Sequence, residues 1–407
     1  MENVWILLAI FVVLMMMHVP IAVAMGLSSL IGFMMIGYNL TTVGSLLYTA
    51  VASTSMITIP GYIFAGAIMA KGGISRHLLN ALNAWIGHVP GGVAIATVLA
   101  CAMFAAITGS ASATIAAVGG LMIPAMIDSN YQKSFSMGLI PPSIPMILYT
   151  TIAGVSVSKL FAAGMLPGLI VVGVFSIYIV IFSIIHKQRG GETEHTDRWK
   201  KTLKALPAIL LPVAILGSIY SGIMTATEAS AFACVYAVLV STLIYREYTW
   251  GQFIETIKEA TKSTATILWI VTACSMFSMF LTATRVPHQI LEIVAASNFS
   301  AIQMVVICAL ILIFLGCFMD GVSIMLIAAP LMVPVVGGLG IVMTIGIQVG
   351  QLTPPVGINL FQVAGMQKES VASVIRGAVP FLLLLMAVWV LVIFCPGLTA
   401  VATTLFT

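Results

Sequence analysis

Four short stretches carry residue types suited to holding ions and anions rather than to making or breaking bonds. Residues 351–360 read QLTPPVGINL, with Pro354 and Pro355 between Thr353 and Asn359. Residues 139–148 read LIPPSIPMIL and repeat the proline pair beside Ser143. Proline has no N–H and clashes with the preceding turn, so a helix stops before each pair and restarts after it. The stop exposes carbonyls and a negative dipole end, which suit a small cation. The restart exposes N–H groups and a positive end, which suit an anionic group. Thr353 reads as an N-cap with Pro354 at the first position of the restarted helix. Two other stretches resemble loop tips: TGSASAT at 108–114 and MDGVS at 319–323. In the first, Gly109 permits a turn, while Ser110, Ser112 and Thr114 supply hydroxyl oxygens and a cap for the returning arm. In the second, Asp320 precedes Gly321. Asp320 and Glu228 are the two carboxylates placed near membrane depth, where a charge is costly and by default a functional candidate. Hydroxyls in apolar helices also bond back to their own backbone, and either carboxylate also suits bracing a helix pair; both readings stay open at this level.

The elements that position these residues are membrane helices. The 407-residue chain is 61% hydrophobic and 7% charged, against about 25% charged in soluble domains. So few charges cannot cover a water-facing surface, and apolar windows of span length recur throughout. The pattern is that of an all-α polytopic membrane protein, not of the short alternating segments of a β-barrel. The start, MENVWILLAI, reads as a first span rather than a signal peptide. The six cysteines form no CxxC pair, and neither HExxH nor GxxxxGK[ST] occurs, so a zinc site, a metalloprotease and an ATP-binding loop are not expected.

Full spans are expected near 3–18, 20–37, 45–70, 136–152, 160–186, 205–222, 226–245, 263–285, 341–362 and 376–396, with re-entrant hairpins at 93–127 and 302–336. The polar stretch 186–204 holds six of the sixteen Lys and Arg and is assigned to the cytoplasm. Walking outward from it places fourteen basic residues inside, with Lys159 and Arg285 outside. Both termini then face the periplasm. Segment 247–262 reads as an interfacial helix.

The chain is internally duplicated. Pro141 and Pro354 lie 213 residues apart, as do Pro167 and Pro380, while Pro124 of LMIPAM and Pro334 of LMVPVV lie 210 apart. Five spans begin between residues 45 and 262, so the second copy is upside down relative to the first. The expected organisation is 1–44 as N-terminal scaffold helices and 45–186 as repeat 1, with hairpin 93–127 and broken helix 136–152. Residues 187–262 follow as cytoplasmic loop, scaffold and interfacial helix, and 263–407 as repeat 2, with hairpin 302–336 and broken helix 341–362. Inverted repeats with interrupted helices point to secondary transporters with a site between the repeats.

The ordered motifs GSASATIAAVGGLMIPAM, IPPSIPMILY with KLFAAGMLPG, SGIMTATEASA and LTPPVGINLF resemble the large membrane subunit of TRAP (tripartite ATP-independent periplasmic) transporters, the DctM-like family, over nearly the whole chain. The resemblance implies an elevator-type fold of the ion-transporter superfamily in a bacterial inner membrane, and Na+-coupled uptake of organic acids. It implies two partners, a small four-helix membrane subunit and a periplasmic substrate-binding protein, and no nucleic acid. Carried over by motif, one sodium site involves Gly109, Ser110, Ser112 and Thr114 with the break at Pro141 to Ser143. A second involves Asp320, Gly321 and Ser323 with Thr353, Pro354 and Pro355. Substrate is expected near Ser112, Ser143, Thr353 and Asn359, and Glu228 is assigned a structural or interface role.

Two departures from the family pattern stand out. Here SMG runs straight into LIPPS, and GGLG straight into IVMT, where the family carries extra residues. Seven residues, Ser134 to Ile140, separate Lys133 from Pro141, where a half-span needs roughly ten; whether residues are missing before Leu139 and after Leu339 or the leg is truncated stays open at this level, and truncation would put the first sodium site in question. The leading function is a sodium-driven carrier of small carboxylates, C4-dicarboxylates before sialic acid or sugar acids. The rivals are a proton-coupled antiporter using Asp320 or Glu228, an organic-acid carrier without a binding protein, an intramembrane hydrolase and a channel. The motifs of a hydrolase are missing, and paired hairpins suit an occluded site better than an open pore.

Overall fold

The computed structural model describes residues 2–17, 19–52, 54–108, 114–128, 145–186, 198–286, 289, 292, 300–317, 319, 321–336, 340–354 and 357–399. Among these the regular structure is entirely helical. The helices are α1 (Glu2–Met16), α2 (Ile21–Met35), α3 (Leu40–Val51), α4 (Thr54–Lys71), α5 (Ile74–Ile86), α6 (Gly92–Thr108), α7 (Gly120–Asp128), entered through a π-helical turn at Ile115–Gly119, α8 (Pro145–Ala153) and α9 (Val157–Ile185). They continue with α10 (Arg198–Tyr220), α11 (Ala226–Leu239), extended by a π turn at Val240–Ile244, α12 (Trp250–Ala283), α13 (Ala301–Gly316), α14 (Gly321–Val336), α15 (Gly340–Gln351), α16 (Ile358–Gln367) and α17 (Val371–Phe394).

Length sorts these helices physically. Among the described residues, α9, α10, α11 with its π turn, α12 and α17 are long and apolar enough to cross a bilayer. α4 and α5 form a pair bent by 63° that passes the same test jointly. By contrast α13 and α14 have 16 residues each, or roughly 24 Å at 1.5 Å per residue, short of a hydrocarbon core of about 30 Å. They contact each other across a four-residue connection and make a helical hairpin. α6 and α7 pair likewise. α15 and α16, at 12 and 10 residues, are two half-helices.

The contacts are reciprocal between the two halves of the chain. α8 packs on α14, the return arm of the later hairpin, while α16 packs on the π turn of the earlier hairpin's return arm. α9 packs on α17 through Phe175 and Tyr178, whose rings lie 5.2 and 5.3 Å from that of Phe381. α4 packs on α12, with Phe64 and Phe253 edge to face at 6.2 Å. Exchanging the halves maps each pairing onto itself or its counterpart.

A second layer holds α4 against α11. Thr58 and Thr227 share a hydrogen bond of 2.9 Å, and the Cys234 thiol donates to the Gly61 carbonyl at 3.0 Å. In lipid, side-chain hydrogen bonds and close packing hold helices together, because burying apolar surface against other apolar surface gains little. At the bend between α4 and α5, Lys71 pairs with Glu259 at 2.7 Å, Arg76 with Glu247, and His77 with Glu247 at 3.2 Å. The Tyr245 ring stacks on His77 at 4.1 Å, and its phenol donates to the Lys204 carbonyl at 2.8 Å.

Three elements differ from the expectation. The span expected at 45–70 is two helices, α3 and α4; α3 starts on an Asn39 cap and closes with the Ala52 N–H on the Tyr48 carbonyl. Of the segment 247–262, expected as a separate interfacial helix, residues 250–262 run without interruption into the span expected at 263–285 as one 34-residue helix, Trp250–Ala283. Its start is a capping box, with the Thr249 and Gln252 side chains each accepting from the other's backbone N–H. Finally, α5 lies where no element was assigned. Its buried face, Ile74, Ser75, Leu78, Leu79, Ala81 and Ala84, is a half-apolar helical pattern rather than the continuous apolar run of a span.

Candidate functional site

The break in the second broken helix follows from two missing N–H groups. In an α-helix the N–H of Pro354 would bond the Gly350 carbonyl, and that of Pro355 the Gln351 carbonyl. Neither N–H exists. The Thr353 N–H takes the Gly350 carbonyl instead, at 2.9 Å, in a tighter last turn, and the Thr353 hydroxyl donates to the Val349 carbonyl at 2.6 Å. Thr353 thus closes α15. This corrects the expected N-cap role: the next helix starts at Ile358, with Gly357 as its N-cap in the left-handed region at φ +60° and no side-chain cap.

Gly357 also fixes where the break sits. Its N–H donates to the Cys317 carbonyl at 3.0 Å, and the Cys317 thiol lies 3.6 Å from the Pro354 carbonyl as donor. Cys317 is the C-cap of α13. The end of the hairpin's first arm therefore rests on the break itself. One turn earlier the two elements touch through backbone: a Cβ on Gly316 would stand 2.5 Å from the Gly350 Cα, and one on Gly350 would stand 2.6 Å from the Gly316 Cα.

The amides line the same place. Asn359 is buried in the first turn of α16, and its Nδ2 donates to Gln351 Oε1 at 3.5 Å across the break. Gly321 is buried at the start of α14, and Ser323 is fully buried in its first turn. Thr114 is fully buried in the earlier hairpin's return arm, immediately before its π turn. That arm's π turn contacts α16. The structure thus brings Thr353, Pro354, Asn359 and the hairpin end together, with the other hairpin's return arm against α16. Gly109, Ser110, Ser112, Pro141, Ser143, Asp320 and Pro355 lie outside the described residues, as does the short leg before Pro141.

Sequence reasoning missed Cys317 and Gly357 as the contact that seats the break. It noted the amide of Gln351 without giving it a part, and it passed over Gln348. An amide in an otherwise apolar half-helix was the available signal.

Glu228 has a different role from the one an intramembrane carboxylate suggests. It is exposed in the first turn of α11 and forms a capping box, with its carboxylate accepting from the Thr225 N–H at 2.8 Å and the Thr225 hydroxyl at 2.9 Å. Glutamine at this position keeps both acceptor bonds, so Glu228→Gln is expected to leave uptake within about twofold of wild type and its pH dependence unchanged. An obligatory proton carrier would lose coupling in the same uptake assay.

Among the described residues no three His, Cys, Asp or Glu side chains gather to hold a metal ion. What the site offers is oxygen from carbonyls, hydroxyls and carboxamides, a negative helix end at α15 and a positive one at α16. That set suits a hard monovalent cation beside an anion.

Two helical hairpins and a helix interrupted at Pro354, in so apolar a chain, are the architecture of a multi-pass membrane protein of the carrier kind. The Alcanivorax borkumensis YdaH transporter shares the fold, with a TM-score of 0.55 over 88% of each chain at 14% identity. The family model of the tripartite ATP-independent periplasmic transporter, DctM component, matches residues 8–398. The C4-dicarboxylate TRAP transporter large permease protein DctM of Pseudomonas aeruginosa is 35% identical over 85% of this chain and 85% of its own. The ectoine/5-hydroxyectoine large permease protein UehC of Ruegeria pomeroyi is 32% identical over 95% of each. The isethionate permease protein DctMQ of Oleidesulfovibrio alaskensis is 33% identical over 97% of this chain, which spans 65% of that relative's length. The chain belongs to the DctM family of TRAP transporter large permeases.

Proposed function

We propose that this chain is the membrane permease of a sodium-coupled TRAP system that takes up small organic anions across a bacterial inner membrane. C4-dicarboxylates are the leading class, ahead of sialic acid and sugar acids. A periplasmic binding protein delivers the substrate, and a small four-helix membrane subunit completes the carrier. The observation that carries this reading is the seat of the hairpin end on the break, through Gly357 N–H and the Cys317 carbonyl. It holds the negative end of α15 and the positive end of α16 beside one another at a place of short helices. Sodium binds among the oxygens at the first end, through Thr353, Pro354, Pro355, Asp320, Gly321 and Ser323. The substrate carboxylate lies toward the second, with Asn359. The other hairpin supplies the matching site from Gly109, Ser110, Ser112 and Thr114 with Pro141 and Ser143. Each hairpin moves with its broken helix past the frame of α4, α11 and α12, as an elevator.

Competition identifies the substrate class. In proteoliposomes holding this chain and its small subunit, with the binding protein added outside, excess succinate is expected to suppress uptake of labelled fumarate, while excess ectoine, isethionate and sialic acid leave it unchanged. Absence of fumarate uptake together with uptake of one of the other three would replace the substrate assignment.

A further inference from the structure

Ten of the twelve residues of α15 are buried, and three of the twelve bear oxygen-containing polar side chains. Thr344, Gln348 and Gln351 are 6%, 5% and 5% exposed. Their spacing of four and three puts them on one face of the helix. That face is opposite the one held by α17, where the Trp389 indole donates to the Val342 carbonyl at 2.7 Å and its ring covers Gly346. On the polar side, at the helix start, Gly340 meets Tyr149 and Leu160, and Ile341 meets Gly164. The polar row therefore runs along the seam between the two repeats, from the membrane face on which the α13–α14 hairpin is rooted to the break.

The acceptors in this row are not all used. Thr344 donates to the Gly340 carbonyl at 2.7 Å, which leaves its lone pairs available. Gln351 Oε1 receives a long bond of 3.5 Å from Asn359. Gln348 Oε1 is buried and has no hydrogen-bond partner among the described residues. An isolated buried acceptor is unfavourable. Downstream of the break, where the 213-residue offset holds, Asn359 corresponds to Met146 in the other repeat.

We infer that Thr344, Gln348 and Gln351 line the route by which the coupling cation reaches the break, and that Gln348 Oε1 is the oxygen that takes it one turn ahead. The inference rests on the sodium-coupled reading above. Neutral oxygen ligands about one turn apart suit a monovalent cation passing between them, whereas magnesium and calcium sites are built on carboxylates. The occupant must be electron-poor, because the position that lacks a partner is an acceptor.

Sodium alone is the probe. Thermal unfolding of the purified full chain is followed as NaCl replaces choline chloride at constant ionic strength. Wild type is expected to rise to a saturating stabilisation. Gln348→Leu, and Gln348→Met as an unbranched variant of similar length, are expected to raise the half-saturating sodium by about tenfold, since each loses one charge-assisted oxygen contact. Gln348→Glu is expected to keep it at or below the wild-type value. Half-saturation unchanged in the Leu and Met variants would overturn the inference while leaving sodium coupling in place. A wild type indifferent to sodium would overturn the coupling itself. If these variants instead weakened stabilisation by succinate and left the sodium response intact, the row would serve substrate and the inference would fail.

Discussion

Gly350→Leu is expected to abolish uptake and to lower the unfolding temperature of the purified chain. The new Cβ lands on the Gly316 Cα at 2.6 Å, with the Leu312 and Ile313 carbonyls at 3.0 and 3.1 Å. All three neighbours are backbone, so no rotamer change relieves the clash. Overpacking of a core costs roughly 1–3 kcal/mol when side chains can shift, and here α13 must move away from α15 as a whole. That motion pulls the Cys317 carbonyl off Gly357 and separates the hairpin from the break. Gly350→Ala places the same Cβ with nothing beyond it and is expected to be milder. A leucine variant that unfolds at the wild-type temperature and transports normally would show that the two helices do not pack through these glycines.

Gly357→Val is expected to spare the fold but cut uptake by at least about tenfold. The position sits at φ +60°, and a Cβ there meets Leu360 at 2.8 Å and the Gln351 and Thr353 carbonyls at 3.2 Å. A β-branched residue held in this region costs about 1–3 kcal/mol, which the local chain relieves by giving up its backbone geometry. The geometry lost is the N–H that seats the break on the hairpin. Asparagine tolerates the left-handed region better, so Gly357→Asn is expected to keep more activity than Gly357→Val. Uptake rates of the two variants, normalised to folded protein by size-exclusion elution, check the order. Equal activity in both would remove Gly357 from the mechanism.

Much of this architecture was legible because its causes are local. The proline pair at 354 and 355 declares its break through two missing N–H groups, and the common offset of Pro141 with Pro354 and Pro167 with Pro380 points to the duplication. The three capping boxes, Thr225 with Glu228, Thr249 with Gln252 and Ser300 with Gln303, are S/T-x-x-E/Q signatures that mark helix starts. Part of what escaped is local too: Glu228 drew attention as a carboxylate in an apolar region, although the Thr225 box three residues before it marks its capping role. Thr353 has the composition of an N-cap, but Pro354 frees the Gly350 carbonyl and turns Thr353 toward the helix behind it. The αL turn at Gly357 became visible only with the Cys317 carbonyl 40 residues away in the chain. The continuity of α12 escaped because the charges of Glu255, Lys258, Glu259 and Lys262 end an apolar window without ending a helix. Lys71 pairs with two of them, at 3.8 and 2.7 Å.

The proposed coupling of sodium to anion movement rests on a broken helix seated on a hairpin end. It is checked by uptake of labelled succinate into proteoliposomes that hold this chain, its small subunit and a loaded binding protein, under an inward sodium gradient, an inward proton gradient or neither. Accumulation only with sodium and only with the loaded binding protein is the predicted result. Accumulation driven by the proton gradient in sodium-free buffer would contradict it and would move the coupling step to Asp320, the remaining carboxylate placed near membrane depth.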